Sequence, residues 1–247
     1  MKAGVFMKTD YINECIDLEG HIIKRTSLKK IRIICFAGLK FLFDRIVGIL
    51  GLIIASPIML IIAIAIKLDS KGPVFFKQER TGKGGKLITI YKFRTMVADN
   101  DVHDFSKADR HTKVGKFLRR TSLDELGQLL NVALFANVSF IGPRPWIPDY
   151  YENMNEEQRH RCDVRPGITG LAQVKGRNNI TIFEKINYDL EYIRNYSLLQ
   201  DIKIVFWTIK SVISGSGADA GKGTIENELN DLKTQELKLN EIANAEM

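Results

Sequence analysis

The chain has 247 residues and a net charge of +7, with 45% hydrophobic and 26% charged residues. That composition excludes wholesale disorder and suits one sizeable domain with a membrane element, or two small domains. Three dispersed cysteines without a Cys-x-x-Cys pair argue against a disulfide framework or a structural zinc site. No zinc-finger, RNP or basic-leucine-zipper pattern supports nucleic acid as a partner.

The charge is uneven along the chain. Residues 1–45 are basic, residues 67–120 carry fourteen Lys/Arg against six Asp/Glu, and residues 216–247 carry three against seven. The positive stretches bracket an apolar segment, which suits an anionic lipid surface or a phosphorylated substrate. The chain divides into a basic N-terminal extension (1–39), a membrane segment (40–69), a soluble domain (70–215) and an acidic tail (216–247). No cleavable signal peptide is expected, and the soluble part is placed in the cytosol.

Residues 46–66 hold no charge. Twenty-one residues of helix span about 30 Å, enough for a bilayer core. Ser56-Pro57 lies at the centre, where proline removes a backbone hydrogen bond and serine can satisfy the freed carbonyl. Both flanks are basic, which a spanning helix does not satisfy under the positive-inside rule. A re-entrant helix–break–helix is therefore favoured over a spanning one, and a buried core helix least.

Downstream, residues 72–77 and 87–91 read as two strands of a hairpin. The Gly/Lys-rich turn between them lacks P-loop spacing. Lys92 and Arg94 follow, then a polar loop over 99–113. Ser122 to Glu125 fits a capping box, with Ser122 as N-cap and Glu125 at the third helical position. Leu126, Leu129, Leu130 and Ala133 continue an apolar stripe. Asp124 and Glu125 thus stand at an expected helix start, where the macrodipole and free N–H groups favour anions. Two readings are open there, a plain helix cap and a catalytic carboxylate pair beside a bound phosphate.

Arg144 projects from a Gly-Pro-Arg-Pro turn and Arg165 opens a second Gly/Pro turn, both suited to phosphate binding. Residues 198–213 form an amphipathic helix that packs on the core or lies in the membrane interface. Residues 224–247 read as a mobile or partner-binding tail.

Seven motifs in this order resemble the bacterial sugar transferase family, the monotopic polyprenyl-phosphate phosphoglycosyl transferases. They are Ser56-Pro57, Gly72-Pro-Val-Phe-Phe-Lys-Gln-Glu-Arg80, Tyr91-Lys-Phe-Arg-Thr-Met96, Thr121-Ser-Leu-Asp-Glu-Leu126, Gly142-Pro-Arg-Pro145, Arg165-Pro-Gly-Ile-Thr-Gly170 and Gln173-Val-Lys-Gly-Arg-Asn178. The resemblance implies a helix-rich α/β fold: a re-entrant membrane helix bent at Ser56-Pro57, and a small cytosolic domain on interfacial amphipathic helices. It implies a monotopic protein on the cytoplasmic face of the bacterial inner membrane.

The chemistry implied is transfer of a sugar-1-phosphate from a UDP-sugar to undecaprenyl phosphate. Asp124 would be the nucleophile and Glu125 a Mg²⁺ ligand. Lys92, Arg119, Arg177 and Asp189 would bind substrate by position, with Arg80, Arg144 and Arg165 in motifs of less defined role. Membrane lipid is a further partner; self-association and contact with downstream glycosyltransferases stay open. Departures from the family pattern are Gly127 for proline, His111 for an aliphatic residue, Lys175 for asparagine, and one extra residue within 133–139.

Overall fold

The computed structural model describes residues 14–16, 22–24, 27–97, 111–176, 180–213 and 225–245. In chain order the elements are β1 (Glu14–Ile16), β2 (Ile22–Lys24), α1 (Ser27–Asp69), β3 (Phe75–Thr81), β4 (Leu87–Phe93), α2 (Lys113–Thr121) and α3 (Gln128–Leu130). There follow β5 (Ser139–Ile141), α4 (Pro148–Glu152), α5 (Glu156–Arg159), β6 (Gly167–Thr169), α6 (Leu171–Lys175), α7 (Ile182–Arg194), α8 (Leu198–Ile213) and α9 (Ile225–Ala245). Among the described residues the strands pair only two by two: β1 with β2, β3 with β4, and β5 with β6, the last pair parallel. The fold is helix-rich, and its β content is three small ladders.

The long helix α1 differs from expectation at two points. It begins at Ser27 rather than near residue 40, so part of the basic extension belongs to it. It also continues without interruption through Ser56 and Pro57. The physical reason lies in one contact. Ser56 Oγ donates to the Ile53 carbonyl at 2.7 Å. That is the acceptor an N–H at residue 57 would use, so the freed carbonyl is satisfied without unwinding.

The apolar stretch of α1 is long enough to cross a membrane, and only 17% of it is buried. Ile53, Ile54, Leu60, Ile61 and Ile64 are exposed, Ile54 by 79%. An apolar surface of this extent marks a lipid or protein contact rather than a core helix.

The chain forms two compact units. The first comprises Leu42–Arg80 and Leu87–Val138. Its core gathers Met59, Ile62 and Ile66 of α1 with Phe93 of β4 and Leu118 of α2. The end of α1 is fixed by Arg94, whose guanidinium donates to the Lys71 carbonyl and to the Ser70 carbonyl at 2.8 Å. A cation just past the C-terminal end of α1 also suits the dipole. α2 starts where Thr112 Oγ1 accepts the Gly115 N–H and Asp69 accepts the Val114 N–H, both at 2.9 Å. That backbone bond holds the Asp69 carboxyl below its usual range.

The second unit comprises Met1–Phe41, Thr81–Lys86 and Ser139–Met247. The expected Gly/Lys turn is present, with the Gly82 N–H donating to the Lys86 carbonyl at 2.7 Å. Two further turns interlock here. The Gly142 N–H donates to the Thr169 carbonyl and the Gly167 N–H to the Pro143 carbonyl, both at 2.9 Å. A Cβ on Gly142 would stand 2.5 Å from the Arg165 carbonyl oxygen, so only glycine permits this approach. On α1, Lys40 pairs with Asp201 of α8 at 2.5 Å, and Tyr192 donates to the same carboxylate at 2.8 Å.

The tail is not free as expected. Helix α9 packs Leu232, 1% exposed, into a cluster with Trp146, Tyr150, Met154, Ile182 and Ile186. Glu228 takes Lys185 at 2.5 Å and the Tyr150 hydroxyl at 2.7 Å. The acidic charge of the segment hid a sparse apolar stripe sufficient for docking. The polar loop expected over 99–113 falls mostly on residues outside the described set, and α2 begins at Lys113.

Candidate active site

The carboxylate pair lies in the first unit, on a 3-10 turn over Leu123–Gly127. The capping box expected there does not form. Ser122 takes a left-handed conformation, φ 56°, and its N–H closes α2 on the Leu118 and Arg119 carbonyls. Its side chain caps nothing. The residue that was to open one helix instead ends the previous one. The Glu125 side chain, released from capping, accepts from Lys92 Nζ at 2.8 Å.

Asp124 is half-buried. Burial pushes its carboxyl above the usual carboxylate range, and the neighbouring Glu125 charge adds to this. Lys92 and Arg119 pull the other way. The helix start alone therefore does not keep Asp124 ionised; the two cations from β4 and α2 oppose the desolvation.

Arg119 is itself held. Its Nη1 lies 2.8 Å from His111 Nε2. A guanidinium only donates, so Nε2 accepts, and the ring proton sits on Nδ1 facing the Thr95 carbonyl at 3.3 Å. His111 is thus the neutral tautomer in this contact. The sequence marked it only as a departure from the family pattern.

Lys92 is positioned by β4, and β4 by a residue with no sequence signal. Asn131 is wholly buried. Its Oδ1 accepts the Tyr91 N–H at 3.0 Å, and its Nδ2 donates to the Thr89 carbonyl at 2.6 Å. One amide thus imitates a strand partner along the edge of β4. Asn131 opens a π-helical turn, Asn131–Phe135. Gly127, a departure from the family's proline, allows close packing: a Cβ there would lie 2.8 Å from the Tyr91 carbonyl oxygen.

Lys92, Arg119, Asp124 and Glu125 are thus brought together within one unit. Arg80, in the same unit, donates to Gln78 at 2.5 Å. Arg144, Arg165 and Asp189 belong to the second unit. Arg144 is exposed between buried neighbours, as expected of a side chain thrown out by a rigid turn. Arg165 lies over the Phe41 ring at 4.9 Å.

Asp189 is 1% exposed and accepts Arg161 Nε at 3.0 Å and Nη2 at 2.6 Å. Burial pushes its carboxyl up while Arg161 opposes. Its partner is Arg161, which sequence reasoning missed. That guanidinium stacks 3.6 Å from the Trp146 ring and donates to the Arg144 carbonyl at 2.8 Å. Arg177 lies outside the described residues.

Among the described residues no group of three or more His, Cys, Asp or Glu is gathered for a metal. Two adjacent carboxylates still fit Mg²⁺, which commonly takes one or two carboxylates and completes its shell with water and substrate phosphates. The desolvated Asp124 beside Glu125 is a carboxylate pair that a cation would relieve.

The sequence profile of bacterial sugar transferases matches residues 36–215. The chain is 50% identical over 182 residues to a UDP-glucose:undecaprenyl-phosphate glucose-1-phosphate transferase of Klebsiella pneumoniae, covering 69% of this chain and 39% of that protein. It is 39% identical over 216 residues to the galactosyl transferase CpsE of Streptococcus agalactiae, covering 81% and 47%. It is 43% identical over 181 residues to the uncharacterized sugar transferase EpsL of Bacillus subtilis, covering 72% and 89%. The chain thus spans less than half the length of the first two relatives and most of the third.

Proposed function

Because the chain belongs to the bacterial sugar transferase family, we propose that it transfers a sugar-1-phosphate from a UDP-sugar to undecaprenyl phosphate at a membrane. The observation that carries this reading is Asp124, half-buried beside Glu125 and under the charges of Lys92 and Arg119. A carboxylate attacking an anionic diphosphate needs positive charge already in place.

In the first step an Asp124 carboxylate oxygen attacks the β-phosphorus of the donor. The bond from that phosphorus to the bridging oxygen breaks, and UMP leaves with the electron pair. In the second step a phosphate oxygen of undecaprenyl phosphate attacks the same phosphorus, and Asp124 leaves as free carboxylate. Splitting the transfer this way is the usual logic of covalent catalysis. Lys92 and Arg119 stabilise the charge on the transferring phosphoryl group, and His111 fixes Arg119. Arg177 is the further candidate for donor binding, and Arg80, Arg144 and Arg165 have less defined roles. Asp189 acts through Arg161 on the Arg144 turn. Mg²⁺, held by Glu125 with Asp124, would supply neutralisation of the diphosphate.

The apolar surface of α1 anchors the chain to the membrane. α8 supports an interfacial placement: Leu198, Leu199, Ile202, Phe206 and Ile209 are exposed while Ile204 is buried on the opposite side. The basic flanks of α1 support a re-entrant course with both ends on the cytoplasmic face, which requires the continuous helix to kink at Pro57. Labelling of cysteines placed at the exposed residues 32 and 71 tests this, and opposite faces would refute it.

The relatives' names divide between glucose and galactosyl transfer. The test is therefore a panel of UDP-hexoses with Mg²⁺ and a polyprenyl phosphate, read by UMP release. EDTA is expected to abolish release and added Mg²⁺ to restore it. A full wild-type rate from Asp124→Asn would overturn the assignment of the nucleophile.

A further inference from the structure

The second unit holds a cavity of about 410 Å³, separate from the carboxylate pair in its residues. This is within the range of ligand pockets. One wall is the early part of α1, with Ile33, Ala37, Gly38 and Phe41. The polar side is built from Lys83 on the Gly/Lys turn and from Asp163 and Arg165 before β6. Asp163 is engaged by His160, Nδ1 to Oδ2 at 2.9 Å. The guanidinium of Arg165 lies 4.9 Å from the Phe41 ring centroid, so the cationic side and the apolar wall meet at that pair.

An apolar wall beside two cations is the complement of an amphiphile with an anionic head. Arg and Lys are the side chains suited to phosphate, Arg by its fork and Lys as a point charge. The chain also supplies a reason for a lipid. Phe41 stands five residues before the uncharged segment that begins at Ile46, about 7.5 Å along a helix. The Phe41 end of this wall therefore lies close to the start of the uncharged segment.

We propose that this cavity binds a phosphate-bearing lipid, with the phosphate at Lys83 and Arg165 and the first carbons of the chain against Ile33, Ala37 and Phe41. The inference rests on the membrane attachment of α1 and not on the transfer reaction. Two sources share the chemistry, a glycerophospholipid of the bilayer and a polyprenyl phosphate.

The test uses the full chain in detergent, without donor sugar. Retention of phosphatidylglycerol and of undecaprenyl phosphate is measured by native mass spectrometry, with glycerol 3-phosphate as a head-only competitor. Gly38→Leu fills the cavity: a Cβ at Gly38 has no atom within 4 Å, and leucine favours a helix. Lys83→Gln removes one charge from an exposed turn. Circular dichroism checks that both variants fold.

Retention is expected to fall about tenfold in Gly38→Leu and several-fold in Lys83→Gln, with glycerol 3-phosphate competing poorly. Retention of phosphatidylglycerol alone supports a bilayer-lipid site, and retention of undecaprenyl phosphate alone supports an acceptor site. Wild-type retention of both lipids in folded Gly38→Leu overturns the proposal. Equal competition by glycerol 3-phosphate overturns it too. Failure of the transfer assay leaves this binding result unaffected.

Discussion

Asn131→Ala isolates how the fold holds Lys92 in place. The substitution removes the acceptor of the Tyr91 N–H and the donor to the Thr89 carbonyl, along with a 3.1 Å bond to Asn137 Oδ1. Each buried group left without a partner costs about 1–3 kcal/mol. Two backbone groups are orphaned, and water entering the small cavity recovers part of the loss, so a net cost of about 2–4 kcal/mol follows. For a chain of this size 1 kcal/mol corresponds to about 2–4 °C. The apparent Tm in detergent is therefore expected to fall by about 4–16 °C. Because Tyr91 adjoins Lys92, UMP release measured well below the new Tm should also fall, by about tenfold. Asn131→Asp is the control. It keeps the acceptor for Tyr91 but sets a carboxylate against the Thr89 carbonyl, and should be no better than alanine. A Tm within 1 °C of wild type with an unchanged rate would refute the view that this amide serves as the strand partner of β4.

Asp124→Asn should reduce UMP release by about 10³-fold or more, as loss of a nucleophile does, while thermal shift shows no loss of stability. The sign follows from the raised carboxyl of Asp124: its folded-state preference for the proton stabilises the chain at low pH and is lost as pH rises through the raised value, so asparagine removes a liability at neutral pH. A drop in Tm comparable to that of Asn131→Ala would contradict this. In the wild type the acid limb of the rate profile should lie above the ordinary carboxylate range, and a limb near pH 4 would count against a desolvated Asp124. Asp189→Asn leaves the Arg161 charge buried and should cost about 3–5 kcal/mol; a double-mutant cycle with Arg161→Met should show strong coupling, and additive effects would deny the pair. Leu232→Ala should cost about 2–5 kcal/mol of the docking of α9 and expose that helix to limited proteolysis, whereas unchanged resistance would mean the helix is not held by Leu232.

Legibility from sequence followed the range of the interactions involved. The apolar run, the hairpin turn and the two Gly/Pro turns are local patterns, and each appears where periodicity and turn chemistry put it. The role of Ser56 was also readable, because its partner is three residues away. What failed were inferences about which of two local solutions tertiary packing would select. Ser122 satisfies a capping-box pattern, yet α2 arrives from upstream and needs a left-handed residue to stop. The acidic tail has too few apolar residues to suggest a core, but Leu229 and Leu232 meet a hydrophobic cluster already formed by α4 and α7. Asn131 and Arg161 were invisible because the partners that matter, in β4 and α7, lie 28 or more residues away, and a lone asparagine or arginine carries no periodic signal.

These hidden residues share a purpose. Asn131 fixes β4 behind Lys92, His111 fixes Arg119, and Arg161 fixes the backbone of Arg144. In each case a neutral or buried group sets the direction of a cation. Long basic side chains have high rotamer entropy, and ordering one at the moment of phosphoryl transfer would add to the barrier. A scaffold that orders the cations, or their backbone, in advance leaves that cost in the folding free energy. It follows that variants of the supporting residues should lower kcat more than they raise KM, since ground-state donor binding tolerates a mobile cation and the transition state does not. His111→Leu is the cleanest case. It restores the aliphatic residue expected of the family pattern and removes the acceptor facing Arg119, together with the longer 3.3 Å contact to the Thr95 carbonyl. A several-fold loss of kcat at unchanged KM is expected. An unchanged kcat would mean that Arg119 is oriented by something other than His111.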